Sequence, residues 1–339
     1  MTMGPVATPI AVERGFVRDL IALTKPRIIS LLLVTTVAPM FVAGTPSWRT
    51  VLLVVVGGYL MAGGANAVNM YFDRDIDEHM ARTRLRPIPS GRLDATAVLA
   101  FGIALAAAAT VLLARFVNVL TAGLAVAGFY FYILVYTRWL KRSTPQNIVI
   151  GGAAGAFPPL VGWAAVTGRV DLVAVYLFLI IFYWTPPHFW ALALLKQRDY
   201  DRAGVPMAPL VWGERRTIDQ MLWYAVVLCA LTLLPVAFGA FGPLYLAAAA
   251  ALDTILLIGV LRVRRSAPLT AAAWSLYKFS LLYLALLFAA MALDRRLDAR
   301  ATARAATRTS PPVAVSGPRA PTPPVSGSPV RGPAGVVIS

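Results

Sequence analysis

A single cysteine, Cys229, stands in 339 residues, and only 14% of the chain is charged. One thiol permits no internal disulfide, so a disulfide framework is excluded. An ordinary globular domain carries roughly a quarter of its residues charged. With so little charge, 59% hydrophobic residues and a mean hydropathy of +0.71, the composition is that of a polytopic membrane protein. Acids are scarcer still, 15 against 31 lysines and arginines, for a net charge of +16. Such a surplus suggests nucleic acid, yet the bases fall in short groups between apolar runs, as in cytoplasmic membrane loops. A nucleic-acid partner is therefore set aside. No strict short-period repeat is present. Met1–Thr24 lacks the basic, apolar, small-residue order of a cleavable signal peptide, and 1–24 is read as a cytoplasmic segment.

What is present is a series of apolar runs. Crossing a bilayer takes roughly twenty apolar residues, and nine stretches qualify: 27–45, 50–71, 95–115, 118–137, 146–166, 171–193, 218–238, 242–262 and 271–293. The fold class expected is all-α, a membrane bundle of about nine helices filling a domain at 25–294. With the N-terminus inside, the inside loops collect Lys25 and Arg27, the arginines after the second span, Arg138 to Arg142, Lys196 to Arg216, and Arg262 to Arg265. The outside loops keep only Arg49, Arg115 and Arg169, a strong positive-inside asymmetry that leaves the C-terminus outside. Residues 295–339, rich in Pro, Ala, Ser, Gly and Arg, are expected to be a disordered tail. The fifth stretch is crowded with small residues from Gly151 to Gly162 and with Pro158-Pro159, which suits close helix packing or a wall shaped to a bulky ligand.

Acids gather at the end of the second run, Asn69-Met-Tyr-Phe-Asp73-Arg-Asp75-Ile-Asp77. Positions four apart drift only about 40° per step on a helix, so Asn69, Asp73 and Asp77 share one face and Asp75 falls near the opposite one. Such a face suits a hard divalent cation, since magnesium binds through one or two carboxylates plus substrate phosphate. Arg74, Arg82, Arg84, Arg86 and Arg92 follow, and Arg82 to Arg86 would suit a diphosphate. A second polar loop, Lys196-Gln-Arg-Asp199-Tyr-Asp201-Arg202 leading to Gly204-Val-Pro206-Met207, is expected at the same membrane face. Two such loops at one mouth could clamp a diphosphate through magnesium and stabilise its departure.

Asn69-x-x-x-Asp73-x-x-x-Asp77 resembles the first signature of the UbiA superfamily of intramembrane prenyltransferases. Within it the nearer resemblance is to the branch of protoheme IX farnesyltransferases. It is carried by Thr24-Lys-Pro-Arg27, Asp73-Arg-Asp-Ile-Asp77 with Met80-Ala-Arg-Thr83 and Arg86-Pro87, Tyr136-Thr137 with Leu140-Lys-Arg142, Asn147 to Gly152, Thr185-Pro-Pro-His188-Phe-Trp190, and Asp199-Tyr200 ahead of Ala203-Gly-Val-Pro-Met207. The superfamily's second signature, Asp-x-x-x-Asp, is not met. Asp199 is followed four positions later by Ala203, and Asp201 would lie about 200° round a helix from it.

The resemblance implies transfer of the farnesyl group of farnesyl diphosphate to a vinyl group of haem b, with water addition, to give haem O for terminal oxidases. It implies Asp73, Asp77 and Asp199 as catalytic residues, and magnesium as cofactor on Asn69, Asp73, Asp77 and Asp199. Substrate contacts are expected from Lys25, Arg27, Arg82, Arg86, Lys141, Lys196 and His188, the last beside Pro186-Pro187, which is expected to break the sixth span. Aromatic faces for an allylic cation are expected from Tyr71, Phe72, Tyr136 and Tyr183. The setting implied is a bacterial inner membrane, with haem A synthase or a second copy of the chain as partner. The alternatives are a UbiA-type enzyme with a quinone-precursor or other aromatic acceptor, and a membrane transporter. Acids at the membrane edge rather than the midplane argue against transport.

Overall fold

The computed structural model describes residues 15–309, with side chains through residue 297. A short amphipathic helix, α1 (Phe16–Thr24), leads through Lys25, held at φ 55°, into α2 (Pro26–Ala43). Pro26 at the first position suits that start, because its missing N–H would have had no partner in the helix. Next come α3 (Trp48–Phe72), the one-turn α4 (Arg74–His79) and α5 (Ala95–Phe116). Ser47 and Asp94 cap α3 and α5 through their side chains. The fourth crossing starts as α6 (Val119–Tyr130), continues as a π-helix (Phe131–Leu140) and ends in α7 (Lys141–Ser143). The fifth is split at Gly152 into α8 (Asn147–Gly151) and α9 (Ala153–Thr167). Then follow α10 (Leu172–Leu195), α11 (Gln197–Arg202), α12 (Ala208–Val211), α13 (Glu214–Ala237), α14 (Pro243–Arg265) and α15 (Thr270–Thr309).

Nine helical segments among the described residues are long and apolar enough to cross a membrane, and their bounds fall within a few residues of the apolar runs. The fourth extends further than expected, to Ser143, because the π-helix carries it past Arg138. Two expectations fail. Pro186 and Pro187 do not break the sixth crossing, since α10 runs through both. Both prolines are buried against the rest of the bundle, where packing holds the helix through them. Nor does helix end at 294. It continues to Thr309, through an Ala- and Arg-rich stretch of good helix formers that stops short of Pro311. Residues 1–14, and the tail from 310 on, lie outside the described residues.

Close contacts between helices explain the small residues. A Cβ on Gly64 of α3 would come within 2.5 Å of the carbonyl oxygen of Gly102 on α5, so only paired glycines permit that crossing. In the fifth crossing, Gly162 sits against the backbone of Thr36 and Gly151 against the Tyr136 ring. Three crossings are tied by one buried polar cluster. Asp253 of α14 has Thr232 Oγ1 of α13 2.7 Å from Oδ2, and accepts from the Tyr283 hydroxyl of α15 at Oδ1, 2.7 Å. Tyr245 donates to the Thr232 carbonyl. Asp294 of α15 accepts from the backbone N–H groups of Gly242 and Tyr245, capping the start of α14.

Candidate active site

The acid face forms although α3 stops at Phe72. Backbone bonds from Asp73 N to Asn69 O (2.9 Å) and Asp77 N to Asp73 O (2.8 Å) carry the four-residue spacing into α4. Asn69, Asp73 and Asp77 are 4%, 1% and 2% exposed, whereas Asp75 points outward. Asp73 Oδ2 accepts from Lys141 Nζ at 2.5 Å and from Asn69 Nδ2 at 2.7 Å. Its other oxygen, Oδ1, is buried with no hydrogen-bond partner. Asp77 Oδ2 takes the Arg86 guanidinium at 2.6 Å, and Thr83 Oγ1 donates to the Asp77 carbonyl, turning the loop back so that Arg86 reaches it. Lys25 Nζ lies 3.3 Å from Asn69 Oδ1. Burial first, then neighbouring Arg86, lower the Lys25 ammonium to about 7, against the pull of Asp73 and Asp77.

The π-helix forms the facing wall. Thr137 Oγ1 bonds the carbonyl of Tyr132, five residues back, and accepts from Asn69 Nδ2 at 3.1 Å. Tyr132 and Tyr136 stack with centroids 5.6 Å apart. π-helical turns inside α-helices are frequent at functional sites.

The second polar loop meets the first. Tyr200, Val205 and Met207 share one apolar cluster with Ile76 and Met80 of the first loop. A cavity of about 230 Å³ lies between Asp75, Ile76 and His79 on one side and Ala203, Gly204 and Val205 on the other. Asn147 Nδ2 joins Thr144 O (2.7 Å) to Pro206 O (3.4 Å), fastening this loop to the fifth crossing. Burial raises the Tyr200 phenol above its ordinary range, and nearby Arg82 opposes that shift. Asp199 and Lys196 are half-buried, Asp201 is exposed, and none of them makes an ion pair among the described residues.

His188 of α10 is held separately. Its ring stacks between Trp184 (4.3 Å) and Tyr277 (4.8 Å), and Nδ1 lies 2.7 Å from Ser280 Oγ. Ser280 gives its own proton to the Tyr277 carbonyl, so its oxygen accepts from His188 Nδ1–H. Nε2 then keeps its lone pair.

A model of the UbiA prenyltransferase family matches residues 31–287. The chain belongs to the UbiA prenyltransferase family. This UbiA member is 53% identical over 287 residues to a relative named protoheme IX farnesyltransferase from Roseiflexus castenholzii, covering 84% of this chain and 54% of the relative. The chain thus spans about half the length of that relative. A relative of the same name from Symbiobacterium thermophilum is 54% identical, with 82% of this chain and 94% of the relative covered. The solved structure of a UbiA homolog from Archaeoglobus fulgidus bound to GPP and Mg2+ shares the fold. It has a TM-score of 0.59 at 16% identity, covering 80% of this chain and 99% of that one.

A divalent cation fits the UbiA site on one observation. A buried carboxylate oxygen with no donor, Asp73 Oδ1, is an atom that a cation satisfies. No group of three or more His, Cys, Asp or Glu side chains is disposed to hold a metal among the described residues. A cation there would complete its shell from water and a phosphate-bearing substrate, as magnesium commonly does.

Of the residues named from sequence, the structure brings Lys25, Asn69, Asp73, Asp77, Arg86 and Lys141 into one contiguous set. Arg82 sits at the second loop beside Tyr200. Arg27 is exposed at the start of α2. Tyr71 and Phe72 do not join the acid face; each lies under an arginine, Arg74 and Arg138, in a different cavity. The reason is angular, since they fall between Asn69 and Asp73 on the other sides of the helix. Tyr183 packs against Phe182, Trp223 and Tyr224. Tyr132 and Thr137 carry no site role on the sequence reading; Tyr136-Thr137 enters there only as one of the stretches that carry the family resemblance.

Proposed function

We propose that the chain transfers the farnesyl group of farnesyl diphosphate to a vinyl group of haem b, with addition of water, to make haem O. The observation that carries this reading is the donor-less oxygen of Asp73, set among Lys25, Lys141 and Arg86 on the acid face. Asn69, Asp73, Asp77 and Asp199 would hold magnesium, which when bound supplies positive charge to the departing diphosphate. Support comes from the names of the relatives and from the Archaeoglobus homolog, whose structure was solved with a prenyl diphosphate and Mg2+.

The chain's own residues then do the following. Lys25, together with Arg86 and Lys141 once these are freed in part from their carboxylates, takes the diphosphate oxygens, with Arg82 and Lys196 at the second loop and Arg27 at the rim. The carbon–oxygen bond breaks with its electrons leaving on diphosphate. The vinyl π electrons of haem b form the new carbon–carbon bond, and water adds to the resulting cation and loses a proton. The stacked rings of Tyr132 and Tyr136 stand beside the acid face, where they exclude water and face the allylic cation. His188, fixed by Ser280 with Nε2 unprotonated, is the contact for haem, at its iron or at a proton.

The protein would sit in a bacterial inner membrane with its polar loops and N-terminus in the cytoplasm and its C-terminus outside, as the basic residues are distributed. Haem A synthase, or a second copy of the chain, would be its partner. Membranes containing the protein, given haem b, farnesyl diphosphate and magnesium, should form haem O on mass-resolved chromatography. If they prenylated only an aromatic acid, the haem acceptor would be wrong and the family chemistry would stand.

A further inference from the structure

A basic cavity lies at the same end of the bundle, against the π-helix at Thr137 and Arg138. Its volume is about 470 Å³, and it is lined by Tyr71, Phe72, Thr137 and three arginines, Arg74, Arg138 and Arg142, with Asp75 at its edge. Arg142 grips Asp75 through two bonds of 2.7 Å and also bonds the carbonyl of Phe72, so those two charges cancel. That fork holds the Asp75 carboxyl down at about 2. Arg74 and Arg138 meet no carboxylate among the described residues. They rest on aromatic faces instead, Arg74 4.6 Å over Tyr71 and Arg138 4.9 Å over Phe72, and Arg74 also donates to the Tyr71 carbonyl at 2.7 Å. Both guanidiniums are therefore oriented before any ligand arrives, which lowers the entropy lost on binding.

The surroundings identify the ligand. Tyr130, Leu134 and Trp139, on the same crossing, are large and more than half exposed, which marks that side of the π-helix as lipid-facing. A cavity with two uncompensated arginines, at a helix end beside lipid, matches a phosphate borne on a lipid. We infer that this cavity binds the phosphate headgroup of an anionic phospholipid. The site is distinct from the acid face, and its ligand does not depend on which acceptor the enzyme uses. The two share Thr137, whose hydroxyl touches Asn69, so an occupied cavity would brace the wall of the reaction site.

The test is native mass spectrometry of the full chain, purified in neutral detergent and offered phosphatidylglycerol or phosphatidylcholine. The expected result is retention of phosphatidylglycerol over phosphatidylcholine, with a roughly tenfold fall in the double variant Arg74→Gln/Arg138→Gln. Arg169→Gln, at the opposite end, should retain the lipid as the wild type does. Equal retention of the two lipids, or an unchanged double variant, would overturn the inference. Excess inorganic phosphate should leave the lipid in place; its displacement would reassign the cavity to free phosphate. Should the double variant unfold, Arg138→Lys keeps the charge without the planar fork and should still lose part of the preference. Retention identical to wild type in that variant would count against an arginine-built site.

Discussion

Asp73 and Asp253 are both nearly fully buried aspartates in the same bundle, and they are treated in opposite ways. Asp253 has a hydroxyl at each oxygen, Thr232 at one and Tyr283 at the other, each from a different helix. Asp73 has an ammonium and an amide crowded on one oxygen and nothing on the other. A carboxyl satisfied on both sides by uncharged groups fastens helices and has no valence left for a ligand. One with an unpartnered oxygen and cations around it is unfinished until something charged arrives. The same contrast separates the outer half of α13 to α15, which is scaffold, from the rim formed by α3, α4 and the π-helix.

The comparison would break first at Asp73. Asp73→Ala should lower turnover on the order of a thousandfold or more, since it removes a group that acts on charge developing in the transition state; haem O formation in reconstituted membranes measures it. Chelation of divalent cations should stop the reaction equally, with recovery on adding magnesium. Next in size, Lys141→Ala should reduce kcat/KM for farnesyl diphosphate about 10- to 100-fold, the worth of one charge-assisted bond. Asp253→Asn should act on stability instead. A loss of about 1–2 kcal/mol is expected, read as a lowered melting temperature, with turnover per folded molecule near that of the wild type. Asp75→Asn removes an exposed ion pair to Arg142 and should cost under about 1 kcal/mol.

The nine crossings were legible because each requires roughly twenty apolar residues and the bilayer permits few alternatives. The face formed by Asn69, Asp73 and Asp77 was legible because spacing by four survives even a helix break, provided the backbone bonds continue across it. Other features turn on choices that periodicity does not encode. Nothing in the run from Phe131 to Leu140 distinguishes a π-helix from an α-helix, so the placement of Thr137 on Asn69 had no warning. Arg82, Arg84 and Arg86 are equivalent as a basic run; the bond from Thr83 to the Asp77 carbonyl selects Arg86 for the acid face. Pro186-Pro187 signalled a break that packing overrode. Asp253 passed unnoticed because its partners lie 21 and 30 residues away on other helices.

The most direct test sets Asp73→Asn beside Asp253→Asn in one experiment: haem O formed per folded molecule, with the folded fraction measured on the same samples. The account predicts that the first variant folds and makes almost no haem O, while the second folds less well and each folded molecule turns over normally. Normal turnover in folded Asp73→Asn, or lost turnover in folded Asp253→Asn, would contradict it.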